Sequence, residues 1–376
     1  MGAHGNIILR KPIETPDVQY RKLDALNYSS IVKFEKSPVL FYEEFILGNK
    51  PEDEDTPATL LGTIVDDVIL SYQGDLEAFE QNFEENYALY DGEPSTAQGF
   101  ILADLLFTIT KQCIVDGEIS REFKDRFHEA FNIIQEQGKY KGKTVEQGLE
   151  DFNKPNKAGN SPKSYFETKL ANIGKKVVSV GIKLKGLQIA SNAFTDPFTK
   201  DLFSFHGKDE NIELLTKFPI TFTYKGENGE IEGKIEVDML EINHLAKTIQ
   251  PFDLKTTYDN TQFPYGYLKN RYYIQGGWYT EGIENWKTEN NMGDYTVLPY
   301  KFIVLDTSNN NRRPIIYELE KSHTTQAYIG FYVGNHYYKG INQLVEAIIW
   351  GNQQGIWNCS KEVYENEGKI KLENYI

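Results

Sequence analysis

A lone aspartate, Asp238, ends the run from Gly233; Asp253, Leu254 and Lys255 follow, and then Gln275 and Tyr279 stand four residues apart. Carboxylates paired in this way hold a hard divalent cation such as Mg²⁺, which takes a few carboxylates and keeps several waters. A cation so held makes a bound water more acidic and stabilises charge developing on a phosphorus centre. Lys255 beside it is suited to position or deprotonate that water, or to neutralise a pentavalent phosphate. The chemistry suggested is metal-assisted phosphodiester hydrolysis.

These residues need elements that bring them together. Over 230–242, Ile235, Val237 and Met239 alternate with Lys234, Glu236 and Asp238, the pattern of a half-buried strand. Over 248–257, Asp253 and Lys255 share one face, and Phe252 and Leu254 share the other. If the two strands pair, the charged groups gather on one side of a sheet. Carboxylates crowded there repel one another until a cation neutralises them. A helix over about 265–286 then carries Arg271, Gln275 and Tyr279 as one stripe. Gly276 and Gly277 inside it each cost about 1 kcal/mol relative to alanine, so either the sheet or a nucleic acid comes close to the helix there.

This set resembles the PD-(D/E)XK nuclease superfamily, and the Gln-x-x-x-Tyr helix is similar to that of its RecB-like and RecE-type phage exonuclease branch. Two upstream stretches extend the likeness. Leu61-Gly62-Thr63 leading to Asp66 is similar to the family's first-motif helix, and Tyr28 to Pro38 followed by Phe41-Tyr42 is similar to the opening segment of RecE-type enzymes. The likeness covers roughly 28–70 and 213–285. It implies an α/β fold with a restriction-endonuclease-like mixed β-sheet flanked by helices.

The resemblance also implies roles. Asp238 and Asp253 bind Mg²⁺ or Mn²⁺, with the Leu254 carbonyl as a further ligand. Lys255 is the catalytic lysine, Gln275 orients the site, and Tyr279 approaches the DNA backbone. Arg271 is placed to grip a DNA phosphate. Two positions depart from the pattern. Asp66, with Asp67 as its neighbour-in-phase alternative, stands where relatives carry a metal-binding histidine, and aspartate is a hard oxygen ligand that suits Mg²⁺ at least as well as imidazole does. Asp253 stands where many relatives carry glutamate. The implied activity is a DNA exonuclease resecting duplex ends in phage-type recombination, with an annealing protein as partner and a homo-oligomer as assembly. The alternatives are an endonuclease or repair nuclease subunit, and a catalytically weak DNA-end-binding or structural protein.

The chain has 376 residues and a net charge of −15. Residues 51–100 hold 13 acidic side chains and no Lys or Arg, whereas 139–186 hold 11 lysines against 4 acids. The lysine-rich stretch reads equally as a phosphate-attracting surface or as a solvated linker. The acidic one is a solvated face or meets a basic surface elsewhere. Two distant cysteines, Cys113 and Cys359, fit a reducing compartment and exclude a four-cysteine cluster. The six histidines lack zinc spacing. No run of about twenty apolar residues suggests a membrane span, and a cytoplasmic location in a bacterium or phage-infected cell is expected.

The expected organisation is an irregular N-terminal segment to residue 57, a nuclease domain over 58–352 with a helical insertion at about 72–212, and an extension over 353–376. Helices are expected near 29–36 (capped by Ser29 or Ser30), 58–71, 76–90, 95–116 (capped by Ser95), 119–137, 163–173, 186–195, 323–333 and 339–352. A loop is expected over 138–162. Strands are expected at 214–224, 230–242, 248–257, 296–306 and 313–320, with hairpin turns at Gly226–Gly229 and Asn309–Asn311.

Overall fold

The Gly226–Gly229 turn joins two 14-residue strands, β1 (Ile212–Lys225) and β2 (Glu230–Asn243), which pair antiparallel along their length. This hairpin is the start of the sheet in a computed structural model that describes residues 23–49, 55–92, 98–155, 160–204, 210–308 and 312–369. The Ser95 cap and the Asn309–Asn311 turn lie outside the described residues. The chain divides into two compact units, one comprising 1–53 with 193–376 and the other 54–192.

The first unit carries a mixed six-stranded sheet. β3 (Thr248–Thr257) runs antiparallel to β2 and parallel to β5 (Lys301–Asp306), and β6 (Ile315–Glu318) closes the edge antiparallel to β5. The short β4 (Thr296–Val297) adds to the start of β3. Parallel neighbours need a crossover, here supplied by helices α2 (Phe263–Lys269) and α3 (Tyr272–Glu289). Helix α1 (Tyr28–Lys36) precedes the sheet, and α4 (Lys321–Ile329) and α5 (Ile341–Gln354) follow it. The architecture is α/β, a mixed sheet flanked by helices.

Packing explains why α3 tolerates so many glycines. A Cβ at Gly276 would stand 2.6 Å from Leu319, and one at Gly277 would stand 2.6 Å from Ile341 and 2.9 Å from Ala327. The close approach is therefore by the protein's own α4, α5 and β6 connection. On β2, Gly233 leaves room for Trp278 and Phe222, whose rings lie 4.9 Å apart.

Several elements differ from the sequence reading. The cap of α1 is Asn27, whose side chain accepts from the Ser30 N–H at 2.9 Å while Ser30 Oγ accepts from the Asn27 N–H. Ser30 is thus the reciprocal partner of the cap, as a capping box requires. The expected helix over 265–286 is two helices, because Arg271 adopts φ +62 and breaks the run. The stripe of Arg271 with Gln275 and Tyr279 is corrected accordingly. A hairpin, Phe331–Val333 with His336–Tyr338, occupies the end of the helix expected over 323–333.

The second unit is mainly helical around an aromatic core that includes Phe100, Phe127, Phe131, Phe152 and Tyr165. A parallel pair, Tyr87–Tyr90 with Lys176–Ser179, ends the expected 76–90 helix at Asn86. The expected 138–162 loop contains a helix, Val145–Asn153, held by a Thr144–Gln147 capping box and by Gly148 under Phe131. Its charge blocks meet at Lys183 and Glu80, 2.5 Å apart, while Lys169 pairs with Asp104, just beyond the acidic stretch, at 2.8 Å. Among the described residues no helix is long and apolar enough to cross a membrane.

Replacing Gly277 with valine forces a side chain into the α4–α5 contact, and overpacking of this kind costs about 1–3 kcal/mol. A clearly lowered thermal midpoint for Gly277→Val is expected. An unchanged midpoint would show that the contact yields freely.

Candidate active site

The regular alternation of β2 fails at one place, and Asp238 is there. Ile235 and Val237 join the main core, and so do Leu240 and Ile242, so the buried phase skips a residue at Asp238–Met239. Across the hairpin Lys217 adopts φ +48, and the ladder pairs Thr216 with Met239 and Phe218 with Val237 but not Lys217 with Asp238. A left-handed lysine inside a strand is strained backbone, a feature that clusters at functional sites. Its ammonium reaches to 3.8 Å from Asp238 Oδ1.

The ladder between β2 and β3 also stops here, at Met239 opposite Phe252. Beyond it the Leu254 N–H donates to Asp238 Oδ2 at 2.8 Å. Asp238 thus ties β2 to β3 where the backbone bonds end and keeps its carboxylate beside Asp253. Leu254, expected to offer its carbonyl, contributes its N–H to the arrangement.

Asp253 is 2% exposed. The Gln275 side-chain amide donates to its Oδ1 at 2.5 Å, and the Lys255 ammonium lies 2.6 Å from its Oδ2. Apart from that ammonium, Asp253 Oδ2 is buried without a partner, and so is Gln275 Oε1. Burial raises the Asp253 carboxyl to about 6; Asp238 adds to the rise, and Lys255 opposes it. Burial acts to lower the Lys255 ammonium, but Asp253 and Asp238 outweigh it and hold the group above its ordinary value. Lys255 also stands 5.0 Å over the Tyr272 ring.

Asp253 Oδ2, buried beside Gln275 Oε1, and the Asp238 carboxylate that repels Asp253 form a donor set that fits a hard divalent cation. Among the described residues, no three His, Cys, Asp or Glu side chains gather as a ready cage. Asp66 belongs to the 54–192 unit, at the end of helix Pro57–Asp66. Its neighbour Asp67 accepts from the Tyr87 hydroxyl and from Ser71, so its carboxylate is already engaged there.

Tyr279 packs edge-on against Tyr300 with centroids 5.9 Å apart. Arg271, outside the helix, donates to Glu35 at 2.7 Å and to the Leu268 carbonyl at 2.8 Å, and it lies over Tyr338. Its guanidinium is therefore committed within the fold. Three site residues escaped the sequence reading: Lys217, Tyr272 and Tyr300. The Tyr300 hydroxyl is fully buried without a hydrogen-bond partner, and burial and Asp253 push it well above its usual value.

Because Asp253 is raised when folded, the stability it contributes is present at low pH and is lost as pH climbs from 3.8, its ordinary value, to about 6. A cation that relieves the ionised pair has most to offer above that range. Mg²⁺ should raise the thermal midpoint more at pH 8 than at pH 5. Equal shifts at both, or none at either, would contradict this.

No protein-family model matches the chain, and neither does any curated protein.

Proposed function

We propose that the protein is a Mg²⁺- or Mn²⁺-dependent DNA exonuclease with a restriction-endonuclease-like sheet of the PD-(D/E)XK type, acting on duplex ends. The observation that carries this reading is the buried Asp253 gripped by both Lys255 and Gln275, with Asp238 tied to the same strand through the Leu254 N–H. Asp238 and Asp253 would hold the cation. When bound, the ion supplies a more acidic water and neutralises charge on the phosphate.

The chain's own residues do the rest. Gln275 fixes the rotamer of Asp253, and the Gly276 and Gly277 contacts fix α3, so the carboxylate is presented in one orientation. Lys255 is held protonated by the two carboxylates, which suits it to stabilise negative charge on the phosphate oxygens. Lys217 adds a second ammonium near Asp238. The half-buried Tyr279 sits one helical turn beyond Gln275, where a DNA strand leaving the site would pass.

Linear duplex incubated with Mg²⁺ should be shortened by the wild-type protein while closed circles survive. Asp253→Ala should abolish shortening, and Lys255→Ala should slow it by about 10²–10⁴-fold, the usual scale for a group acting on the proton or charge in flight. Equal DNA loss with wild type and Asp253→Ala would sink the proposal. Protection of ends by wild type without shortening would favour the DNA-end-binding alternative, a reading consistent with the absence of a three-ligand cage among the described residues. Nicking of closed circles would favour the endonuclease.

A further inference from the structure

A concavity of about 380 Å³ opens in the same unit between α2, β5, β6, α4 and the Phe331–Tyr338 hairpin. It is linked to the carboxylates by a short series of stacked groups. Lys255 lies over Tyr272, and Tyr272 stacks on Phe263 at 5.6 Å and 14° between planes. Phe263 and Phe302 then line the cavity. Phe302 sits in register with Asp253 on the neighbouring strand.

The lining states what kind of molecule fits. Its walls are aromatic rings, with Phe331 and Tyr332 the more open and Phe263 and Phe302 buried behind them. No lysine or arginine lines it, and its one acid, Glu318, is paired with Lys301 at 3.3 Å. An anionic group therefore finds no counter-charge here. Three polar side chains have capacity to spare. The Tyr267 hydroxyl has no hydrogen-bond partner among the described residues, and burial alone raises it well above its usual value. The Gln326 amide likewise has none. His323 accepts from the Glu320 N–H through Nδ1 at 3.1 Å, so the proton is on Nε2, which is left as a donor. An aliphatic chain would fill the volume but leave all three groups unsatisfied.

We propose that this cavity binds a nucleobase, its ring against the aromatic walls and its edge hydrogen-bonded by Tyr267, Gln326 and His323. Flat aromatic surfaces stack on any base, and an amide with a phenol and a ring N–H matches the mixed donors and acceptors of a base edge. That the base belongs to a DNA strand rests on the nuclease reading of the neighbouring site; the cavity's chemistry does not.

The test uses the full chain in EDTA, so that cleavage plays no part. The probes are a single-stranded oligonucleotide carrying 2-aminopurine at every third position and an equal-length strand abasic at those positions. Saturable quenching of the 2-aminopurine is expected, with at least about fivefold weaker binding of the abasic strand. Gln326→Leu and Tyr332→Ala should each remove most of that difference. Tyr332 is 71% exposed, so its loss leaves the fold intact. Equal binding of both strands, unchanged in both variants, would overturn the proposal, as would tighter capture of a tyrosine-containing peptide than of either strand. Quenching by a protein that fails to shorten duplex DNA would refute the nuclease reading and leave the base site standing. Shortening without base-dependent binding would do the reverse.

Discussion

Two carboxylates, one of them buried, stand close enough to repel at the end of the β2–β3 ladder, and that repulsion governs the arrangement around them. Asp253, at 2% exposure, has lost nearly all its hydration, and Asp238 stands against it. Burying like charges is costly unless cations or hydrogen bonds compensate. The protein supplies Lys255 on the same strand, Lys217 from the hairpin, the Gln275 amide from α3 and the Leu254 N–H. Each partner offsets part of the charge, yet Asp253 Oδ2 and Gln275 Oε1 keep unused lone pairs. A site that retains such capacity is arranged for something more than its own stability.

The fold makes this possible by interrupting its own regularity. β2 and β3 stop exchanging backbone bonds after Met239 and Phe252, and the freed Leu254 N–H becomes a handle for Asp238. Lys217 breaks the pairing of β1 at the same level. On the other side, close packing of Gly276 and Gly277 seats α3 so that Gln275 reaches Asp253. Irregular strands hold the charges, and a rigid helix aims the amide at them.

Much of this site could be read from residue order alone. The alternation in 248–257 put Asp253 and Lys255 on one face, and the strand has those bounds. The Gly226–Gly229 turn was also legible, and counting back from it sets Lys217 opposite Asp238, a step that would have revealed the second lysine. Tyr300 was hidden because its neighbour across the sheet is fixed by a crossover, which local pattern does not encode. The division of the 265–286 helix was hidden for another reason. Nothing in Asn270-Arg271 announces a left-handed residue, and the turn depends on Arg271 finding Glu35, 236 residues earlier. The Val145–Asn153 helix was obscured by its glycine, which Phe131 requires. The resemblance to PD-(D/E)XK nucleases covers roughly 28–70 and 213–285, so most of the 54–192 unit beyond Asp66 had no pattern to be read against.

A Mn²⁺ titration followed by the paramagnetic signal of the free ion tests directly whether the Asp238–Asp253 pair is a cation site. Wild-type protein should take up Mn²⁺, and Asp238→Asn and Asp253→Asn should each weaken uptake by at least about tenfold, as loss of a metal's supporting groups commonly does. Unchanged uptake by both variants, or none by the wild type, would contradict the account.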